Sequence, residues 1–369
     1  MVTTTIERQQ AAMSEFGFDA LVAYSKENVA YGAGYVVPSQ ALSVRDRHFA
    51  VVVNRDGKAA MLLTSNELQE AQARSTITDF YPYDEFSEKP MEVLAKILRD
   101  LGVDGGSIGL EMDAVPADCW EELKRLLPEA HWEHGSKAFQ YARRIKTPDE
   151  LDRLRKVARI ADRAQAAVHP HVREGMTEQE VYRLIADAAL AEGAETIGVQ
   201  VAAGDRSSYS NPTPGETKLR KGDVVKVDVF ASLGGYLSDT GRAFVVAEAS
   251  SEQQAIWSAM QETLAAIHSA VKPGATTRDL WDVFVEGFDR HEMKPVIKFL
   301  GHGLGLSFHE QPFIAAHTDT PLEAGMVFAV EPVYRVGDTG YHLEDNLIVT
   351  ETGSENMTTS FGSDLIVLG

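Results

Sequence analysis

Residues 169–181 and 268–280 spell one pattern. His169-x-x-Val172-Arg173-x-Gly175-x-Thr177-x-x-Glu180-Val181 is matched 99 residues later by His268-x-x-Val271-Lys272-x-Gly274-x-Thr276-x-x-Asp279-Leu280. Each copy joins two amphipathic helical patterns through a glycine, a threonine N-cap and an acid three residues on, which is capping-box grammar. Agreement of apolar, glycine, cap and acid positions over this length indicates an internal duplication. The second part of the chain is therefore expected to fold as two like halves, each a helix pair leading into β structure.

Both β regions carry paired acids. In GDVVKVDVFASLGGYLSDTGRAFVV (222–246), Val224 to Ser232 is β-rich, Gly234-Gly235 is a hairpin turn, and Tyr236 to Val246 returns. With Gly234 and Gly235 as the two loop residues, Asp228 faces Gly241, and Asp239 lies diagonal to Asp228 on the same face of the pleat. A three-residue turn would separate the two acids, and two exposed aspartates near strand ends fit this hairpin equally well when it is taken alone. The second half repeats the device. With a loop centred on Gly337-Asp338, Glu331 in VFAVEPVY faces Glu344 in YHLEDNLIV. Facing like charges repel unless a cation or proton joins them. Four acids converging from two hairpins predict a cation site.

Two histidines extend the set. Gly301-His302-Gly303-Leu304-Gly305 places an imidazole among glycines, which permit close backbone approach. His309 follows seven residues on. Alone, each fits a hydrogen-bonded core histidine; beside four carboxylates, His302 becomes a candidate ligand. Four carboxylates and an imidazole suit hard or borderline divalent metals, and their summed charge calls for two ions bridged by carboxylates. Such a centre activates water and polarises an amide carbonyl, so the predicted reaction is hydrolysis of an amide or related C–N bond.

Composition narrows the remaining options. A length of 369 residues favours two domains. A formal charge of −20 with no basic run argues against non-specific nucleic-acid binding. The single cysteine, Cys119, excludes an intrachain disulfide and a Cys-based zinc site, and reads as packing. No apolar run reaches the ~20 residues of a membrane span. MVTTTIERQQ lacks a signal-peptide core, so a cytoplasmic protein without membrane contact is expected.

Residues 1 to about 140 alternate helix and strand signals. Helices are predicted over 6–16, 68–74, 91–101 and 118–127, and strands over 20–23, 49–53, 59–63 and 107–110. This reads as a small α/β domain with no phosphate loop. Thr147-Pro148-Asp149-Glu150 then supplies an N-cap, a first-turn proline and a capping-box acid, opening a helix to about Val168. A second capping box at Thr177 and Glu180 opens a helix that stops at Gly193.

The eleven-residue spacing from Asp228 to Asp239, GHGLGL followed by HE, and GMVFAVEP together resemble the pita-bread metallohydrolases: prolidase, aminopeptidase P, methionine aminopeptidase and creatinase. The resemblance covers nearly the whole chain. Asn28-Val29-Ala30-Tyr31 and Gly34-Tyr35 look like the amino-terminal domain of the prolidase and creatinase branch. It implies an α+β fold, with a duplicated pita-bread catalytic domain at 144–369 preceded by a smaller creatinase-like α/β domain at 1–143.

For the site, the resemblance implies two divalent ions (Mn, Co, Zn or Fe) and five metal ligands. Asp228 would hold one ion, His302 and Glu331 the other, and Asp239 and Glu344 would bridge. It further implies that His309 contacts substrate and its tetrahedral intermediate, that Glu331 moves a proton from water to the leaving amine, and that Gln311 and Pro312 wall the pocket. A homodimer is also implied.

Three positions depart from the family pattern. Asn211 replaces a histidine of many relatives, His342 a common arginine, and Phe230 a usual glycine. Asparagine cannot shuttle a proton near neutral pH, and His342 gives up a fixed charge and a bidentate fork. Asn211 and His342 are expected where peptide ends would be held, which makes them substrate-binding candidates. The leading expectation is hydrolysis of Xaa-Pro bonds in dipeptides or short peptides. Asn211 and His342 also favour a second reading, a hydrolase of a small ectoine- or creatine-like amide or amidine. The filled ligand set weighs against creatinase itself, which works without metal, and against a catalytically inactive binding module.

Overall fold

Apolar runs in the first 143 residues assemble into a six-stranded sheet in the order Asp79–Tyr83, Ala59–Thr64, Ala50–Asn54, Ala20–Ala23, Ser107–Leu110 and His131–His134. The structure is a computed structural model and describes residues 4–44 and 46–369; Met1–Thr3 and Arg45 lie outside the described residues. Ala20–Ala23 is buried at every position, which is why it reads as unbroken hydrophobicity. The two edge strands escape a reading based on apolar patterning: HWEH is largely exposed, and DFYPY, broken by a proline, buries only Tyr83 fully. Contacts divide the chain into this unit, ending at Arg143, and a second from Arg144 to Gly369.

The second unit begins on the Thr147 capping box. The Thr147 hydroxyl accepts from the Glu150 N–H, and the Glu150 carboxylate accepts from the Thr147 N–H at 2.8 Å. The helix it opens, Pro148–Val168, packs with Glu178–Ala191 on strands Thr196–Ala203, Val224–Leu233 and Thr240–Val246. Helices Ser251–Ala270 and Thr277–Asp289 then cover strands Phe299–Gly303, Glu310–Ala315, Val327–Val330 and Asp345–Val349. Two cores result, one around Val157, Ile185 and Val227, the other around Trp257, Phe284 and Phe328 and including Val224, Ala243 and Val245 from the first half's strands.

The repeated sequence pattern is repeated as hydrogen bonding. Gly175 and Gly274 have φ of 88° and 89°, the left-handed region in which glycine is unpenalised. Their N–H groups donate to Leu219 and Leu322 carbonyls respectively, and the next pair, Glu178 and Thr277, donate to Thr217 and Thr320.

Both acid-bearing hairpins keep the register that two-residue turns require. Gly234 and Gly235 both have positive φ, Leu233 pairs with Tyr236, and Asp228 faces Gly241. The return strand is nevertheless split at Ser238–Asp239, where the sequence suggested continuity. In the second hairpin one register runs from Val336–Thr339 to Val327–Ile348, but Val333–Val336 with Thr339–His342 forms a separate two-stranded sheet. Glu331 and Glu344 fall at the step between the two ladders. Every acid except Asp228 thus sits where a ladder is interrupted.

No atom lies within 4 Å of a Cβ placed on Gly175 or Gly274, so alanine there meets only the backbone penalty. Gly175→Ala and Gly274→Ala should each cost about 1–2 kcal/mol, read as equal shifts in urea midpoint. Unequal costs would show that the two turns are not structural equivalents.

Candidate metal centre

The two halves are stitched together at their acids by main-chain and amide hydrogen bonds. The Glu344 N–H donates to the Gly241 carbonyl at 2.9 Å. The Asn346 side-chain amide donates to the Asp239 carbonyl, and its oxygen accepts from the Asp239 N–H at 3.3 Å. Asn346 thereby replaces the strand partner that Asp239 lacks. Arg242 donates to the Gly241 and Glu344 carbonyls and pairs with Asp345 at 2.6 Å.

His302 sits on the strand Phe299–Gly303 between glycines with no room for a side chain. A Cβ on Gly301 would lie 2.2 Å from the Ala329 carbonyl oxygen, and one on Gly303 would lie 2.7 Å from that of Gln311. The His302 Nδ1–H donates to the Gly303 carbonyl at 3.0 Å, so Nε2 is the free nitrogen. Nε2 stands 3.6 Å from Asp239 and 3.4 Å from Glu331. The loop beyond is held by Glu310, which accepts from Leu306 and Ser307 N–H groups and pairs with Lys146 at 3.1 Å. That pair is almost wholly buried.

The structure brings seven of the eight predicted site residues around one focus. One donor atom each from Asp228, His342 and Glu344 lie within 4.8 Å of one another, and so do one each from Asp239, His302 and Glu344. Glu344 belongs to both triads. Glu331 reaches both imidazoles, at 3.4 Å from His302 and 3.6 Å from His342. His309 stacks on His302 with ring centroids 4.0 Å apart. Asn211 is farther out and exposed, its side-chain oxygen accepting from Gln200 at 3.3 Å. His342, expected among groups gripping a peptide end, lines the cavity described below and has its Nε2 turned to Glu331 and Glu344.

The electrostatics match a site built for cations. Burial, reinforced by Glu331, raises the Asp228 carboxyl to about 6. Burial and the neighbouring carboxylates raise Asp239 and Glu344 well above the usual range. Burial would raise Glu331 too, but His302 and His342 hold it at about 2. Asp228 Oδ1, His302 Nε2, His342 Nε2 and Glu344 Oε2 are buried with no hydrogen-bond partner among the described residues. No lysine or arginine among those residues forms an ion pair with the four acids; Asp239, Glu331 and Glu344 stand within 4 Å of imidazoles instead. Orphaned donor atoms on an oxygen-rich, net-negative set fit divalent metal ions.

A cavity of about 420 Å³ opens onto this focus. Asp228, Asp239, Glu331, His309, His342 and Asn211 all line it. Gln311 and Pro312, expected on its wall, do not. Phe230 does, meeting Phe308 edge-on at 5.1 Å, so the residue in place of glycine narrows the cavity with an aromatic ring. Lys226 and Tyr334 were not anticipated. Lys226 shares the face of Asp228 two residues on, a signal that strand alternation contains; its Nζ donates to the Tyr209 and Ser210 carbonyls.

Fold and site together define a two-unit metallohydrolase whose catalytic unit is an internal duplication. Residues 152–351 match the model of metallopeptidase family M24, and residues 5–145 match the creatinase/prolidase N-terminal domain. The chain belongs to metallopeptidase family M24. It is 28% identical to YkvY of Bacillus subtilis, over 98% of this chain and 99% of that one. It is 27% identical to the Xaa-Pro dipeptidase of Pyrococcus furiosus, over 82% and 85%. The solved Xaa-Pro dipeptidase of Bacillus anthracis superposes with a TM-score of 0.86 at 26% identity, covering 99% of both chains. No helix among the described residues is long and apolar enough to cross a membrane.

Two stability predictions follow from the charge arrangement. Lys146→Met removes one buried partner of the Glu310 carboxylate and should cost about 3–5 kcal/mol in denaturant unfolding. In metal-free protein, Asp228, Asp239 and Glu344 bind protons more tightly folded than unfolded, so stability rises as pH falls through about 6, where Asp228 titrates, toward the ordinary carboxylate range of about 4. Glu331, shifted the other way, offsets this only near its unfolded value and below. Thermal melts should show Tm rising over that pH range, with Glu344→Gln flattening the rise.

Proposed function

We propose that the protein is a dinuclear metal-dependent hydrolase that cleaves Xaa-Pro amide bonds in dipeptides or short peptides. The observation that carries this reading is the pair of carboxylate–imidazole triads sharing Glu344, of which Asp228, Asp239 and His342 line the cavity. Similarity to two proteins named Xaa-Pro dipeptidases supports the substrate class. In this reading Asp228, Asp239, His302, Glu331 and Glu344 hold two divalent ions drawn from manganese, cobalt, zinc or iron. When bound, the ions supply Lewis-acid polarisation of the amide carbonyl and lower the pKa of water at the site.

The remaining steps belong to the chain. His309, stacked on His302 and facing the cavity, donates a hydrogen bond to the carbonyl oxygen as negative charge develops on it. Its pKa is lowered, chiefly by burial and then by His302, so near neutral pH it serves as a neutral donor. The ionised Glu331 carboxylate accepts the proton of the attacking water and returns it to the leaving nitrogen. Phe230, Phe308 and Tyr334 supply apolar surface for a ring such as proline.

Asn211 favours one alternative, a hydrolase of a small amide or amidine metabolite, because a carboxamide replaces the imidazole expected there. Incubating metal-loaded protein with Ala-Pro, Gly-Pro and a short Xaa-Pro peptide beside ectoine and creatine separates the two. Proline release is the expected result, and none from any peptide would remove the peptidase reading. Asp239→Ala and Glu331→Ala should abolish turnover with the circular dichroism spectrum retained. His309→Ala should lower kcat by about 10²–10³-fold. Near-native rates in the first two variants would show that the ligand assignment is wrong.

A further inference from the structure

His342 has the geometry of a metal-binding group rather than a substrate contact. It ends the strand Thr339–His342, one residue before the ladder steps aside at Glu344, and is 4% exposed. Its Nε2 lies 3.6 Å from Glu331 Oε2 and 3.6 Å from Glu344 Oε2, and makes no hydrogen bond to either. The Glu344 oxygen it faces is itself unpartnered. With Asp228 these atoms form a cluster of the same span as the one around His302.

The seat of the ring is built into the first hairpin. A Cβ on Gly241 would lie 2.5 Å from both Nδ1 and Cε1 of His342, so the imidazole occupies space that only glycine leaves. Gly241 is also the residue facing Asp228 across the ladder. The glycine opposite the first aspartate therefore brings a nitrogen donor from the second half of the chain beside that aspartate. Two permanent cations on the first hairpin are committed elsewhere. Lys226 donates to the Tyr209 and Ser210 carbonyls, and Arg242 to main-chain carbonyls and Asp345.

We propose that His342 is a sixth protein ligand, giving the Asp228 side of the centre an imidazole of its own. Each half then combines one aspartate, one imidazole and the shared Glu344. A nitrogen donor in place of an all-oxygen set favours ions later in the divalent series, so cobalt and zinc gain over manganese at this half. The inference deepens the dinuclear reading and rests on it.

The test is titration of full-length, metal-free protein with Co²⁺ and with Mn²⁺ by calorimetry, alongside visible spectra of the cobalt form. Wild type is expected to bind two ions. His342→Ala and the bulkier His342→Gln should lower cobalt affinity at one of the two sites by tenfold or more, lower manganese affinity less, and change the cobalt spectrum. Gly241→Ala, which expels the ring without removing it, should reproduce both effects. Added imidazole should restore the spectrum of His342→Ala. If two ions bind wild type and the cobalt-to-manganese preference is unchanged in all three variants, His342 is a counter-charge only, and this proposal falls while the dinuclear reading stands. If wild type binds no divalent ion, both fall.

Discussion

Four carboxylates packed around one focus cannot all ionise unless positive charge stands between them, and this repulsion organises the catalytic unit. Among the described residues no lysine or arginine forms an ion pair with the four acids: Arg242 is held by main-chain carbonyls and Asp345, and Lys226 by Tyr209 and Ser210. The side chains that do come within ion-pair distance are imidazoles, and imidazoles can ligate. The scaffold bears the resulting strain through buried polar contacts of its own, among them the Lys146–Glu310 pair and the Asn346 bridge to Asp239.

Much of this was legible in the chain because the relevant signals are local. Gly234-Gly235 fixes a turn, the turn fixes register, and register places Asp228 opposite Gly241. Capping boxes at Thr147 and Thr177 mark helix starts, and the repeat announces two halves. The interruptions at Asp239 and at Glu331 and Glu344 were not legible. They arise where one half exchanges hydrogen bonds with the other, through Glu344 to Gly241 and Asn346 to Asp239, and no spacing within either hairpin encodes that exchange.

His342 shows the same limit from the side of function. From sequence it is a substitution at a position associated with substrate, because the residue that admits it, Gly241, lies 101 positions away in the other half. Asn211 was read as a substrate position and does line the cavity, but only its partner Gln200 reveals which end of the amide is occupied. The edge strands of the first unit were missed because HWEH is polar and reads as loop, and because DFYPY carries a proline that argues against a strand.

The seam between the halves has a consequence for how this protein tolerates change. The acids are joined across the halves by main-chain and amide bonds from Glu344 to Gly241 and from Asn346 to Asp239, whereas the apolar side chains gather in two cores. Sequence drift inside either core alters how firmly a half is folded while leaving the distance between ligands governed by the seam. Robustness and chemistry are thus assigned to different atoms.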